Sequence, residues 1–97
     1  MKALRWTPGA LQDLVRLRDF LGPKNPSAAA RAAERILQAA ATLRENPELG
    51  HAVEDEPWRE LVASAGRTAY VLRYRIDDDA IVIARVWHSR EERETDR

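Results

Sequence analysis

The chain has 97 residues and no cysteine. That is enough for one domain with one core, taken as 1–97, and it excludes disulfides, thiolate nucleophiles and cysteine-ligated metals. Sixteen basic side chains balance sixteen acidic ones, so no direct DNA binding through a phosphate-gripping surface is expected. The longest uninterrupted apolar run, 80–84, is far too short to span a membrane, and the N-terminal stretch has no apolar secretory core. These features predict a cytoplasmic protein without membrane contacts.

Residues 3–6, Ala-Leu-Arg-Trp, predict a short first strand. Thr7-Pro8 then supplies a helix cap and a proline at the first helical position, where its missing N–H costs nothing. From Pro8 to Leu21 the apolar residues Ala10, Leu11, Leu14, Leu17, Phe20 and Leu21 recur at three- and four-residue steps, one face of an amphipathic helix. Gly22-Pro23 is expected to end it through a left-handed cap. A second helix over 26–45 follows, capped by Asn25 or Ser27, with Ala29, Ala32, Ala33, Ile36, Leu37, Ala40 and Leu43 as its buried stripe. So many alanines imply close approach of the two helices as an antiparallel hairpin.

Residues 48–57 read as a surface loop. Strands are then expected over 58–63, 69–76 and 80–88, with a turn at 64–67 and the acidic triplet 77–79 at the tip of the last hairpin. A three-residue loop at that tip places Tyr70, Leu72, Tyr74 and Ile76 on the face of Val82, Ala84 and Val86, toward the helices. The opposite face would carry Arg73, Arg75, Arg85 and Trp87 beside Val71, Ile81 and Ile83. The fold class is therefore α+β: a helical hairpin on a mainly antiparallel sheet of about four strands. Residues 91–97 form a polar tail.

Metal and cofactor chemistry find little support. His51 and His88 are the only histidines and lack ligand spacing, and the four glycines are scattered as turn punctuation. No metal and no cofactor are expected. The residues that stand out are Arg73, Arg75, Arg85, Trp87, His88 and Arg90, expected on one sheet face and its rim. Arginines can stabilise charge on a phosphate and histidine can carry protons. The same arginines would equally suit a solvated face paired with the acidic loop at 54–56. Fourteen of the sixteen basic residues are Arg, which favours planar, bidentate contacts but also fits an arginine-rich coding background.

A set of short matches spans nearly the whole chain: Trp6-Thr7-Pro8 with Ala10 and Asp13-Leu14; Asn25-Pro26 with Ala28-Ala29 and Arg31; Leu43 with Pro47 and Gly50; Arg59-Glu60-Leu61; Tyr70 to Arg75; and Val86-Trp87-His88-Ser89-Arg90. In these the chain resembles the RelE/ParE family of toxins from bacterial type II toxin–antitoxin modules. The resemblance implies a β-α-α-β-β-β order and a cognate antitoxin, ParD-like or similar, as partner. It also implies one of two activities. RelE-like members cleave mRNA in the ribosomal A site with a basic cluster; ParE-like members inhibit DNA gyrase and serve plasmid stabilisation. This chain has no lysine beyond Lys24 and no tyrosine beyond Tyr74. The expectation is therefore ParE-like, with gyrase as the target. If it were a nuclease, His88, Arg90, Arg73 and Arg85 would be the catalytic set; a non-toxic antitoxin-binding homologue is the third reading. The antitoxin is expected to cover the arginine-rich sheet face, with Trp87 as an anchor.

Overall fold

A computed structural model describes residues 1–91, so the expected tail beyond Glu91 lies outside the described residues. The chain runs β1 (Ala3–Trp6), α1 (Pro8–Leu21), α2 (Pro26–Thr42), β2 (His51–Ala52), β3 (Arg59–Ala65), β4 (Thr68–Ile76) and β5 (Ala80–His88). The sheet order is β1-β5-β4-β3-β2, antiparallel except for the β1–β5 pair. This is the expected α+β layout, with the helical hairpin on one face of the sheet.

The caps form as their residue types dictate. The Thr7 hydroxyl accepts from Ala10 N–H at 3.0 Å and donates to Ala84 C=O at 2.9 Å, tying the start of α1 to β5. Asn25 caps α2 by accepting from Ala28 N–H. Gly22 differs from expectation. It stays right-handed, at φ −55°, and its N–H reaches Arg18 C=O at 2.7 Å. Glycine is needed there for space, since an added Cβ would sit 2.9 Å from that carbonyl oxygen.

Ala10 and Leu17 of α1 and Ala32, Ile36, Ala39 and Ala40 of α2, with Leu43 just beyond it, pack on Tyr70, Leu72, Tyr74, Ile81, Ile83 and Val86 of the sheet. Leu14 and Leu21 are partly buried against them. Leu11, Phe20 and Leu37, all expected inside, are more than half exposed, and Ala33 is exposed as well. Ala33 and Leu37 line an open groove between the two helices, and Phe20 stands at the cleft between α1 and the end of β5. Helix α2 also stops at Thr42, short of the expected 45.

Register is the main correction. Tyr70, Leu72 and Arg73 oppose His88, Val86 and Arg85, but Tyr74 and Ile76 oppose Ile83 and Ile81. The shift between Arg73 and Tyr74 leaves Ala84 as an extra residue on β5, a bulge. One extra residue reverses the alternation, so Ile81 and Ile83 join the core while Val82 stands opposite Arg75 on the other face. The expected placement holds for Val86 and is reversed for 81–83.

Two further differences lie on the far side of the sheet. β3 spans Arg59–Ala65 and turns through residues 66 and 67, one or two residues later than expected. The loop at 48–57 contains a fifth strand, β2, pairing His51 with Glu60 and Ala52 with Arg59. Two residues are too few to carry an alternation signal. Their position is set from the core: the Tyr74 hydroxyl donates to Pro47 C=O at 2.6 Å and accepts from Gly50 N–H at 3.0 Å.

Candidate functional site

The face of the sheet away from the helices carries a stacked aromatic and cationic cluster. Arg73 of β4 and Arg85 of β5 form a cross-strand pair, and both guanidiniums lie over the Trp87 ring, at 4.9 and 5.2 Å. Arg73 also lies 5.8 Å from the Trp58 ring centre. Such contacts are favourable because the ring face is electron-rich. They cover Trp87, which is only 5% exposed, and Val71 and Val82 on the same face are buried as well. Trp87 is thus no exposed anchor; it is the floor on which the two arginines rest.

Both arginines are held by carboxylates. Arg73 donates through Nε and Nη2 to Glu60 Oε2, at 3.0 and 2.8 Å. Arg85 donates to Asp13 of α1 at 2.8 and 3.2 Å. Arg75, nearer the hairpin tip, pairs with Asp77 at 2.9 Å. Their carboxylate partners include Glu60, Asp13 and Asp77, which lie outside the acidic loop at 54–56 that one of the two readings paired them with.

Asp13 is the pivot of this arrangement. β1 pairs with β5 only as far as Ile83, after which Thr7 turns the chain into α1. The rest of β5 would present a bare edge, and side chains close it. Asp13 accepts from Val86 N–H at 2.8 Å, Arg16 donates to Val86 C=O at 3.3 Å, and Glu91 accepts from His88 N–H at 3.1 Å. Asp13 also accepts from Arg16. Burial acts to raise the Asp13 pKa, but the hydrogen bonds from Arg85, Val86 N–H and Arg16 outweigh it and hold the carboxyl below its ordinary range.

His88 and Arg90 are elsewhere. Beyond the bulge His88 shares the helix side with Tyr70, ring edge to face at 5.5 Å, and its Nδ1 accepts from Arg90 N–H at 3.0 Å. With Arg16, Leu17, Phe20, Arg90 and Glu91 it lines a cleft of about 360 Å³ between α1 and the end of β5. The six residues expected together thus occupy three places. Arg73, Arg85 and Trp87 form the stack, Arg75 sits by the hairpin tip, and His88 and Arg90 line the cleft.

Asp13, Arg16, Glu60 and Glu91 were missed as site residues. Asp13 had a readable signal: it lies between Ala10 and Leu17 on the buried stripe of its helix, where an unpaired charge would be costly. Nothing local distinguishes Glu60, Arg16 or Glu91 from solvated charges. Among the described residues no three His, Asp or Glu side chains gather as a metal site.

Residues 4–93 match the family model of the ParE toxin of the type II toxin–antitoxin system, parDE. The chain belongs to the ParE toxin family. This ParE-family protein is 44% identical over 93 residues to Toxin RelE3 of Caulobacter vibrioides, covering 96% of this chain and all of the relative. Toxin RelE2 of the same organism is 39% identical, covering 92% of this chain and 97% of the relative. Its structure is similar to a chain of the chromosomal ParDE system from P. aeruginosa, with a TM-score of 0.76 and 25% identity, over 91% of this chain and 96% of that one. A chain of the Mycobacterium tuberculosis RelBE2 toxin–antitoxin complex has a TM-score of 0.63 and 30% identity, over 90% and 96%. This ParE-family chain is a toxin of the type II toxin–antitoxin class. Among its described residues, no helix is long and apolar enough to cross a membrane.

Proposed function

We propose that this ParE-family toxin inhibits DNA gyrase through protein contacts, without chemistry of its own, and is neutralised in the cytoplasm by a cognate, ParD-like antitoxin. One observation carries the first part. His88 and Arg90 lie on the helix side of β5, whereas Arg73 and Arg85 lie on the opposite face in ion pairs with Glu60 and Asp13. Acid–base cleavage of a phosphodiester needs a proton acceptor, a proton donor and cations directed at one phosphate. Side chains on opposite faces of a pleated sheet diverge from each other. The four residues thus suit a contact surface better than a nuclease site. The antitoxin reading is supported by the similar chains, which come from a ParDE system and a RelBE2 toxin–antitoxin complex.

The test adds purified toxin to gyrase supercoiling and to mRNA on ribosomes in parallel. Supercoiling inhibition that survives His88→Ala is expected. Codon-positioned cleavage that is lost in His88→Ala and Arg90→Ala, with supercoiling untouched, would overturn the proposal in favour of a ribosome-dependent nuclease. Inactivity in both assays would leave a homologue that only binds its antitoxin.

A further inference from the structure

The cleft between α1 and the end of β5 already holds one carboxylate. Arg16 faces Glu91 with two parallel N–H···O bonds, Nε to Oε2 and Nη2 to Oε1, each 2.9 Å. The same Oε1 accepts from His88 N–H at 3.1 Å. Paired guanidinium contacts are selective for a carboxylate, and the strand-edge N–H of His88 adds a third fixed donor. Glu91 fills this position from only three residues away, through a turn closed by Glu91 N–H to His88 C=O at 2.9 Å. Leu17 lines the cleft's apolar floor, and Phe20 stands 59% exposed at its rim, opposite His88 and Arg90.

We propose that this cleft is a binding site for an acidic residue with an apolar neighbour on the antitoxin, and that Glu91 occupies the carboxylate position until the partner displaces it. The proposal rests on the reading that an antitoxin is the partner. The charge balance selects the chemistry. Asp13 is committed to Arg85, Arg16 and Val86 N–H, so moving the Glu91 side chain away leaves Arg16 and Arg90 at the cleft, with the His88 N–H free to donate. That combination fits a carboxylate and disfavours a cation. The adjoining space of about 360 Å³ has room for one large apolar side chain beside it. A partner that makes both contacts gains apolar burial at the exposed Phe20 ring, which Glu91 alone does not provide.

The experiment uses N-acetyl-Phe-Glu-amide as probe and N-acetyl-Phe-Gln-amide as control. Both are titrated into 15N-labelled toxin, following the His88 amide and the Arg16 Nε–H. Glu91→Gln removes the resident charge and should bind the glutamate probe about fivefold more tightly than the wild type, with the glutamine control bound far more weakly by both. Arg16→Gln should abolish probe binding. Phe20→Ala leaves the ion pairs intact and should weaken binding, which serves as the second variant if Arg16→Gln does not fold. Equal affinity of wild type and Glu91→Gln for the glutamate probe, or equal binding of the two dipeptides, would overturn the site.

A parallel calorimetric titration with the antitoxin encoded beside the toxin assigns the occupant. Tighter antitoxin binding by Glu91→Gln supports the assignment. Unchanged antitoxin affinity, with the dipeptide effect present, would overturn the antitoxin as occupant. Failure of any antitoxin to bind either protein would overturn the partner reading alone, while the dipeptide titration still decides the site.

Discussion

Arg85 of β5 reaches over the open edge of the sheet to the Asp13 carboxylate of α1, 2.8 Å from Nε to Oδ2. That contact joins the outer sheet face to the helical layer, because the same carboxylate also holds Val86 N–H from inside. Asp13 thus substitutes for the strand that β1, ending at Trp6, does not provide.

Removing that carboxylate takes a partner from two arginines and leaves a strand-edge N–H without its acceptor. Asp13→Ala should destabilise the toxin by about 3 kcal/mol, the low end for breaking a buried ion pair, because both arginines are partly solvated. Urea unfolding of the two proteins near neutral pH measures it. A loss below about 1 kcal/mol, within the range of a surface pair, would show that the contacts are not coupled.

The depressed pKa of Asp13 gives that contribution a pH dependence of definite sign. Its stabilisation is complete above the unfolded carboxyl pKa of about 4 and is lost as pH falls through the lower folded value. Glu91, lowered chiefly by the Arg16 hydrogen bonds, adds in the same direction. Unfolding free energy of the wild type should therefore fall steeply below about pH 4, and Asp13→Asn should flatten that slope. Equal slopes in urea titrations across this range would contradict it.

The Tyr74 hydroxyl is the link from the core to the loop that carries β2. Tyr74→Phe leaves Pro47 C=O and Gly50 N–H without it and should cost about 1–3 kcal/mol in thermal unfolding. Gly50→Ala should be worse, since its Cβ would lie 2.7 Å from Glu60 O and 2.8 Å from Tyr74 Cε1. Tolerance of Gly50→Ala without loss of melting temperature would mean that this loop is not fixed as described.

Trp87 lies beneath Arg73 and Arg85, so truncating it acts on folding first. Trp87→Ala should destabilise the free toxin by about 3 kcal/mol or more. Trp87→Phe should recover most of that and keep antitoxin affinity. Unchanged stability of Trp87→Ala, with weakened antitoxin binding, would restore Trp87 as a surface anchor.

The sequence by itself determined the helical hairpin, its cap at Thr7, the last β-hairpin and the family, and left the second cap between Asn25 and Ser27, which the structure assigns to Asn25. These follow from local chemistry: capping side chains, proline at the first helical position, three- and four-residue apolar spacing, and turn residues between β-formers. Only the tertiary structure decided which residues of β5 face the helices. One extra residue, Ala84, reverses a two-residue period, and nothing in AIVIARVWH marks where the period breaks. It likewise decided that Asp13 is a structural hub, that Trp87 is covered, and that His88 and Arg90 lie apart from Arg73 and Arg85. Those facts depend on where β1 ends beside β5 and on which carboxylates then meet the open edge. These contacts join residues more than seventy positions apart, so the local sign at Asp13, a charge on a buried stripe, names no partner.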